Sequence, residues 1–248
     1  MVSGKYSALS GALSRQQAIS TISNNLANVN TTGFKKNTLS FESILNNQQQ
    51  NSAEGINYSR VGKSSTDFKQ GTFKPTENPM DLAIQGKAFF KVQGVNGALY
   101  TRRGDFGLRG DNVLTTRHGL PILSEAGGEI TIPDAETSKI AFGEDGTIYI
   151  LGKQGRREEV GKIGLFEIDD PSLLKNAGDT SFSLEQGGQE TISQESSLLQ
   201  GNLEVANVNM VAAMAQLIDN QRAFETLNKA IKSYSTISDQ QDKLGSLG

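Results

Sequence analysis

Residues 2–29, VSGKYSALSGALSRQQAISTISNNLANV, and residues 208–244, VNMVAAMAQLIDNQRAFETLNKAIKSYSTISDQQDKL, decide the fold between them. In the first stretch Val2, Tyr6, Leu9, Leu13, Ile19, Ile22, Leu26 and Val29 fall mostly three or four apart, interrupted at Gln16 and Gln17. In the second, Met210, Met214, Leu217, Ile218, Phe224, Leu227, Ile231, Tyr234 and Ile237 follow the same rule. That spacing lines one face of an α-helix with apolar side chains. The far faces carry Ser10, Ser14, Ser20, Thr21, Asn24 and Asn28 in one helix, and Asp219, Asn220, Glu225, Lys229, Lys232 and Asp239 in the other. Ser, Thr and Asn are mediocre helix formers, so the first helix is expected to form when packed rather than alone. The second would reach about 55 Å, a length at which coiled-coil packing is expected. Each stripe needs a partner, and the other terminus, with copies of the same pair, is the economical one. This pattern points to an assembly protein before it points to an enzyme.

Between the helices the sequence reads as β. Short apolar runs recur at Asp81–Ile84, Ala88–Val92, Ala98–Thr101, Val113–Thr116, Ile130–Ile132, Thr147–Leu151 and Lys162–Ile168. Turn signals separate them: Gln85-Gly86, Gly94 to Gly97, Gly110-Asp111-Asn112, Gly127-Gly128 and Glu144-Asp145-Gly146. Strands at such intervals imply an antiparallel sandwich or irregular barrel. Asn30-Thr31-Thr32-Gly33-Phe34 is expected to end the first helix, with Gly33 as a left-handed cap and Phe34 as an apolar anchor behind it. The fold class is therefore mixed α and β. Residues 1–34 form the N-terminal helix of an inner layer and 35–76 an extended connector with a short helix at Phe41–Leu45. Residues 77–171 form the β domain, 172–204 a return connector and 205–248 the C-terminal helix. The whole of 35–76 is polar, with a nearly pure amide run at Asn46–Ser52, and a disordered linker is the alternative reading of it.

Composition narrows the function. A net charge of −3 gives no electrostatic case for nucleic acid or anionic membrane. Cysteine is absent, which removes thiolate chemistry, disulfides and Cys-based metal sites. No run approaches the roughly 20 apolar residues of a membrane span. The first residues lack the apolar core of a cleaved secretory signal, so export, if it occurs, is expected to use another route. The sole histidine, His118, sits in the turn-like sequence Thr116-Arg117-His118-Gly119, with no second His for a triad or zinc site. The paired acids Glu158-Glu159 and Asp169-Asp170 raise a glycosidase reading, but adjacent acids in a strand face opposite ways and Asp169-Asp170-Pro171 reads as a turn. No catalytic residue, cofactor or metal ligand is assigned. Two Arg-Gly-Asp tripeptides, at 103–105 and 109–111, raise an adhesin or fibre reading, although both have turn composition.

The run Asn24-Asn25-Leu26-Ala27-Asn28-Val29-Asn30-Thr31-Thr32-Gly33-Phe34-Lys35 is harder to explain as a helix end alone. Amides both donate and accept, so they suit hydrogen-bonded contacts between subunits. This run resembles the N-terminal signature of the bacterial flagellar rod and hook protein family. Met80–Val92 resembles that family's central segment, with Ala88 where glycine is usual, and Tyr100–Phe106 resembles a following one. Leu203–Asn209, followed by Gln221–Glu225, resembles its closing helix. The resemblance implies a non-enzymatic axial subunit of the basal-body rod, a drive shaft carrying torque from motor to hook. It also implies export through the flagellar type III apparatus, a position in the rod across the periplasm, and other rod proteins and copies of itself as partners. Its helices would pair as a coiled-coil-like inner layer, with no direct membrane insertion. Asn207–Met214 and Arg222–Glu225 look most like the proximal rod member adjoining the distal rod, with a distal rod or hook-type protein as the alternative. The expected assembly interface comprises Leu9, Leu13, Ile22, Asn24, Asn25, Leu26, Asn28, Gly33, Phe34, Asn207, Asn209, Met214, Ile218, Phe224, Leu227 and Ile231.

Overall fold

Small residues set how closely the terminal helices meet. A computed structural model describes residues 2–45, 57–133, 139–151 and 157–245. Helix α1 spans Val2–Ala27 and α2 spans Met210–Gly245. A Cβ on Gly4 would lie 3.3 Å from the Tyr234 hydroxyl, and one on Gly11 would lie 3.4 Å from Leu227 Cδ1. Arg15 Nη1 donates to Asn220 Oδ1 at 3.0 Å. Residue numbers rise on one helix as they fall on the other, so the pair is antiparallel. The seven-residue step on both helices between those two glycine contacts is a coiled-coil spacing.

The chain divides into two units, and α1 and α2 belong to the first, which contains Met1–Ala27, Asn37–Asp67 and Val208–Gly248. Strands β1 (Asn37–Leu45) and β2 (Asn57–Thr66) complete it as an antiparallel pair lying against α1, with a register shift between Leu39 and Phe41. The short helix expected at Phe41–Leu45 is thus a strand. Its five residues include Phe41 and Ile44, which favour strands, and cross-strand pairing with β2 satisfies its backbone. The amide run Asn46–Ser52 lies outside the described residues.

The second unit contains Asn28–Lys36 and Phe68–Asn207. Its strands are β3 (Phe73–Pro75), β4 (Leu82–Gln85), β5 (Phe89–Gly94), β6 (Gly97–Thr101), β7 (Phe106–Leu108), β8 (Leu114–Thr116), β9 (Lys139–Phe142) and β10 (Thr147–Leu151). They continue as β11 (Arg157–Lys162), β12 (Leu165–Ile168), β13 (Leu174–Gly178), β14 (Ser181–Leu184), β15 (Glu190–Ile192), β16 (Ser197–Gln200) and β17 (Asn202–Glu204). The main sheet has the order β13-β14-β6-β5-β12-β15, a second has β11-β10-β9, and β4, β3 and β7 pair with β16, β17 and β8. Every one of these pairings is antiparallel.

Neighbouring residues of a strand point to opposite faces, and both faces of the main sheet are buried. Phe90, Val92 and Leu165 join Leu82, Leu114, Ile122 and Ile148 in one apolar cluster. Phe89 and Phe166 join Tyr100, Leu174 and Phe182 in another. Phe90 meets Phe106 edge-on at 4.9 Å, and Phe68 meets Phe182 edge-on at 5.0 Å.

Three local expectations change. Ile130–Ile132 forms no strand, only isolated bridges at Glu129 and Thr131, although Ile130 and Ile132 are buried. The run Lys162–Ile168 divides between β11 and β12, which lie in different sheets. The break is at Gly164, where a Cβ would meet the Phe166 ring at 2.3 Å. The stretch 172–204, read as connector, carries β13 to β17, because antiparallel pairing with β3, β4, β6 and β12 satisfies the backbone of segments too short to show a period.

Candidate functional site

Glu204 ends β17 almost completely buried, at 1% side-chain exposure, and a buried carboxylate must be paired. Lys35 Nζ reaches its Oε1 at 2.6 Å, Arg102 Nη1 its Oε2 at 3.3 Å, and the Gly71 N–H donates to Oε1 at 2.8 Å. Lys35 and Arg102 are equally buried, at 0% and 2%. Lys35 Nζ also donates to the Lys69 carbonyl at 2.7 Å, and Arg102 Nη2 to the Gly86 carbonyl at 2.7 Å. The Arg102 guanidinium stands 4.8 Å over the Phe89 ring. Burial pulls Arg102 below its usual range, and the charge and hydrogen bond of Glu204 oppose that pull.

The backbone closes the same place. The Gly33 N–H donates to the Glu204 carbonyl at 2.8 Å, and Val205 N–H to the Thr72 carbonyl at 2.9 Å. Asn207 accepts from the Lys36 N–H at 2.8 Å and donates to the Lys69 carbonyl at 3.0 Å. Residues 33–36, 69–72, 86, 102 and 204–207 are thus tied together around one carboxylate, all inside the second unit.

Gly33 is left-handed, as expected, with φ +69°, but it does not cap α1, which ends six residues earlier at Ala27. A Cβ on Gly33 would stand 2.4 Å from Arg103 N, so this glycine permits backbone to approach backbone. Phe34 is buried beside it in sequence. Lys35, Arg102 and Glu204 were not singled out from sequence. Their signal was a charge beside apolar residues in each of three motif stretches, Lys35 next to Phe34, Arg102 after Tyr100-Thr101, and Glu204 between Leu203 and Val205.

The asparagines have separate tasks. Asn25 is buried, donates to the Asn37 carbonyl and accepts from the Asn37 N–H, both at 2.8 Å. Asn28 accepts from Thr31 Oγ1 at 3.1 Å. Asn209 caps α2, accepting from the Ala212 N–H at 3.0 Å. Asn24 is exposed. Among the apolar positions, Ile22, Leu26, Phe224, Leu227 and Ile231 are half-buried. Leu9, Leu13, Met214 and Ile218 are exposed, Leu13 at 57%, together with Tyr6, Met210 and Val211, the last at 78%. In the antiparallel pair these exposed residues form two patches, one near the start of α1 and one near the start of α2, at opposite ends.

Both Arg-Gly-Asp tripeptides are closed on themselves. Arg103 holds Asp105 with bonds of 2.5 and 2.9 Å, and Arg109 holds Asp111 with its shortest bond at 2.6 Å. The bond from Arg109 keeps the Asp111 carboxyl below its usual range. His118 lies exposed in its turn. Asp170 accepts from the Ser172 N–H at 2.9 Å and caps a short 3-10 turn, while Glu158 and Glu159 lie on β11. Among the described residues no group of three or more acids and histidines is disposed around a metal position, and no helix is long and apolar enough to cross a membrane.

Three family descriptions match in chain order. "Flagella basal body rod protein" covers residues 6–35, "Flagellar hook protein FlgE/F/G D1 domain" covers 83–150, and "Flagellar basal body rod FlgEFG protein C-terminal" covers 199–244. The flagellar basal-body rod protein FlgF of Caulobacter vibrioides is 34% identical over 239 residues, 94% of each chain. FlgG of Bacillus subtilis is 29% identical over 256 residues, 96% of this chain and 97% of its own. FlgF of Mesorhizobium japonicum is 31% identical over 244 residues, 97% of each. Matched along nearly its whole length by such relatives, and by the three family descriptions in chain order, the chain belongs to the flagellar basal-body rod protein family.

Proposed function

We propose that this structural rod subunit sits in the proximal rod, joins other rod proteins and its own copies through its paired terminal helices, and helps carry torque along the axis. The observation that carries this is the pair of exposed apolar patches, Tyr6, Leu9 and Leu13 at one end and Val211, Met214 and Ile218 at the other. Different patches at opposite ends suit a head-to-tail contact, which propagates into a helical filament instead of closing as a dimer. Leu9, Leu13, Asn24, Met214 and Ile218 are the surface positions we assign to that contact. Ile22, Leu26, Phe224, Leu227 and Ile231 support it from within the helix pair. Gly33, Phe34, Asn25, Asn28, Asn207 and Asn209 act on the subunit's own geometry. Export through the flagellar type III apparatus, to a position across the periplasm, completes the proposal and rests on the family alone.

The proximal position draws on the run Asn207–Met214 with Arg222–Glu225. The distal rod is the second reading, since the family resemblance of the helices allows it as well. Electron microscopy of basal bodies from a deletion strain distinguishes them by the stage at which the rod stalls. Leu13→Asp and Met214→Asp test the patches. Both side chains are exposed in the monomer, so its melting should not change, while a carboxylate buried in the assembled contact costs several kcal/mol. A Leu13→Asp strain that swims normally would remove that patch from the interface.

A further inference from the structure

We propose that Glu204 is a positioning residue: its carboxylate holds the places where the chain enters and leaves the β unit in one register, and this register, more than added stability, is its contribution to the rod.

The chain passes between the two units after Ala27, Lys36, Asp67 and Asn207. Three of these crossings abut the cluster directly. Lys36 donates to Asn207, and Lys69, two residues beyond Asp67, accepts from both Lys35 and Asn207. Residue 207 is itself the last before the final crossing. The crossing after Ala27 leads into the turn at Asn28–Thr31 and then to Gly33, which is bonded to Glu204. Any load passing along the chain between helices and β unit must pass through these four crossings.

Stability is a poor account of such a cluster. Two cations and one carboxylate have been desolvated together, and buried ion groups of this kind often contribute no more than apolar side chains of similar volume. What apolar side chains lack is direction. Each carboxylate oxygen here has assigned partners, Oε1 for Lys35 and Gly71, Oε2 for Arg102. A slide of any one segment by a residue would leave a buried charge unpaired. The backbone permits little slack either, because a Cβ on Gly71 would stand 2.0 Å from the Val205 carbonyl oxygen.

The test compares the full chain with Glu204→Gln and with a triple apolar variant, Lys35→Met, Arg102→Met and Glu204→Met. Amide exchange, thermal melting and restoration of swimming in a strain deleted for this chain are measured. The swimming arm rests on the rod reading, and the exchange arm does not. In Glu204→Gln the amides of Lys36, Gly71 and Val205 should exchange about tenfold to a hundredfold faster, the loss expected for hydrogen bonds tied to a charge. Those of Phe90 and Ile148 in the core should keep their protection. The triple variant should regain the wild-type melting temperature yet still fail to restore swimming. Full restoration by that variant would show that the cluster only stabilises, and unchanged exchange in Glu204→Gln would show that the carboxylate does not hold the register. If the wild-type chain itself fails to restore swimming, the rod reading falls, while the exchange result still decides the role of Glu204.

Discussion

Alanine at Gly33 combines two costs that Gly127 and Gly104 carry singly. The first is conformational: at φ +69° an L-residue is disfavoured by about 1–2 kcal/mol. The second is steric. A Cβ there would lie 2.4 Å from Arg103 N, 2.6 Å from Arg103 Cα and 2.7 Å from the Arg102 carbonyl carbon. All three are backbone atoms, so no rotamer change relieves the overlap, and forcing atoms into a packed interior costs about 1–3 kcal/mol. Together they give about 2–5 kcal/mol, a large share of the roughly 5–15 kcal/mol that holds a domain folded. The Gly33 N–H would also be moved from its 2.8 Å bond to Glu204.

Two controls separate the costs. Gly127 has φ +84° with open space around its missing Cβ, so Gly127→Ala should lose only the conformational part, about 1–2 kcal/mol. Gly104 has no such φ, but its Cβ would stand 1.6 Å from the Leu82 carbonyl oxygen, so Gly104→Ala should show the steric part. The chain lacks tryptophan, so urea unfolding is best followed by far-ultraviolet circular dichroism and extrapolated linearly. Should Gly33→Ala cost no more than Gly127→Ala, the backbone approach at 102–103 is not a constraint and the argument for a tight junction fails.

Asn25→Ala should cost about 1–3 kcal/mol in the same assay, because it leaves both the N–H and the carbonyl of Asn37 without their partner; a neutral result would make those bonds dispensable. Asn209→Ala should cost about 1 kcal/mol and fray the start of α2, seen as faster exchange at Ala212 and Ala213. Burial, with the hydrogen bond and charge of Glu190 behind it, raises the Tyr100 phenol well above the usual tyrosine range. A raised acid stabilises the fold fully below its unfolded value, near 10, and loses that contribution as pH climbs further. Melting of the wild type should therefore decline more steeply above that pH than melting of Tyr100→Phe, and parallel curves would contradict the assignment.

The helices and the central strands were legible because their apolar residues recur with the helical period or in short runs between glycine turns. Leu82–Gln85, Phe89–Gly94 and Thr147–Leu151 fall where those runs predict. The β1–β2 pair was not legible, since Asn37-Thr38-Leu39-Ser40-Phe41 carries too few apolar residues to show a period and its partner lies beyond an amide run. The junction was invisible for another reason. Lys35 and Glu204 are 169 residues apart and Arg102 and Glu204 are 102 apart, so no local spacing could bring them together. Gly33 was marked as special, but for closing a helix, when its constraint is the backbone of Arg102 and Arg103.

The asparagines of this chain then acquire a physical account that differs from the one their density first suggests. A side chain that is short, uncharged and able both to donate and to accept can stand in for a peptide group. Asn25 does so from within α1, meeting Asn37 as a paired strand residue would, at the point where β1 begins. Asn207 does so between Lys36 and Lys69, and Asn209 supplies the acceptor that the start of α2 lacks. Each stands where the chain changes from one kind of secondary structure to another and backbone groups would otherwise be orphaned. Amides concentrated at transitions, with apolar patches left exposed on the helices, divide the labour of the subunit. The amides fix its internal geometry, and the exposed side chains of Leu9, Leu13, Met214 and Ile218 are the ones the proposed rod contact would cover.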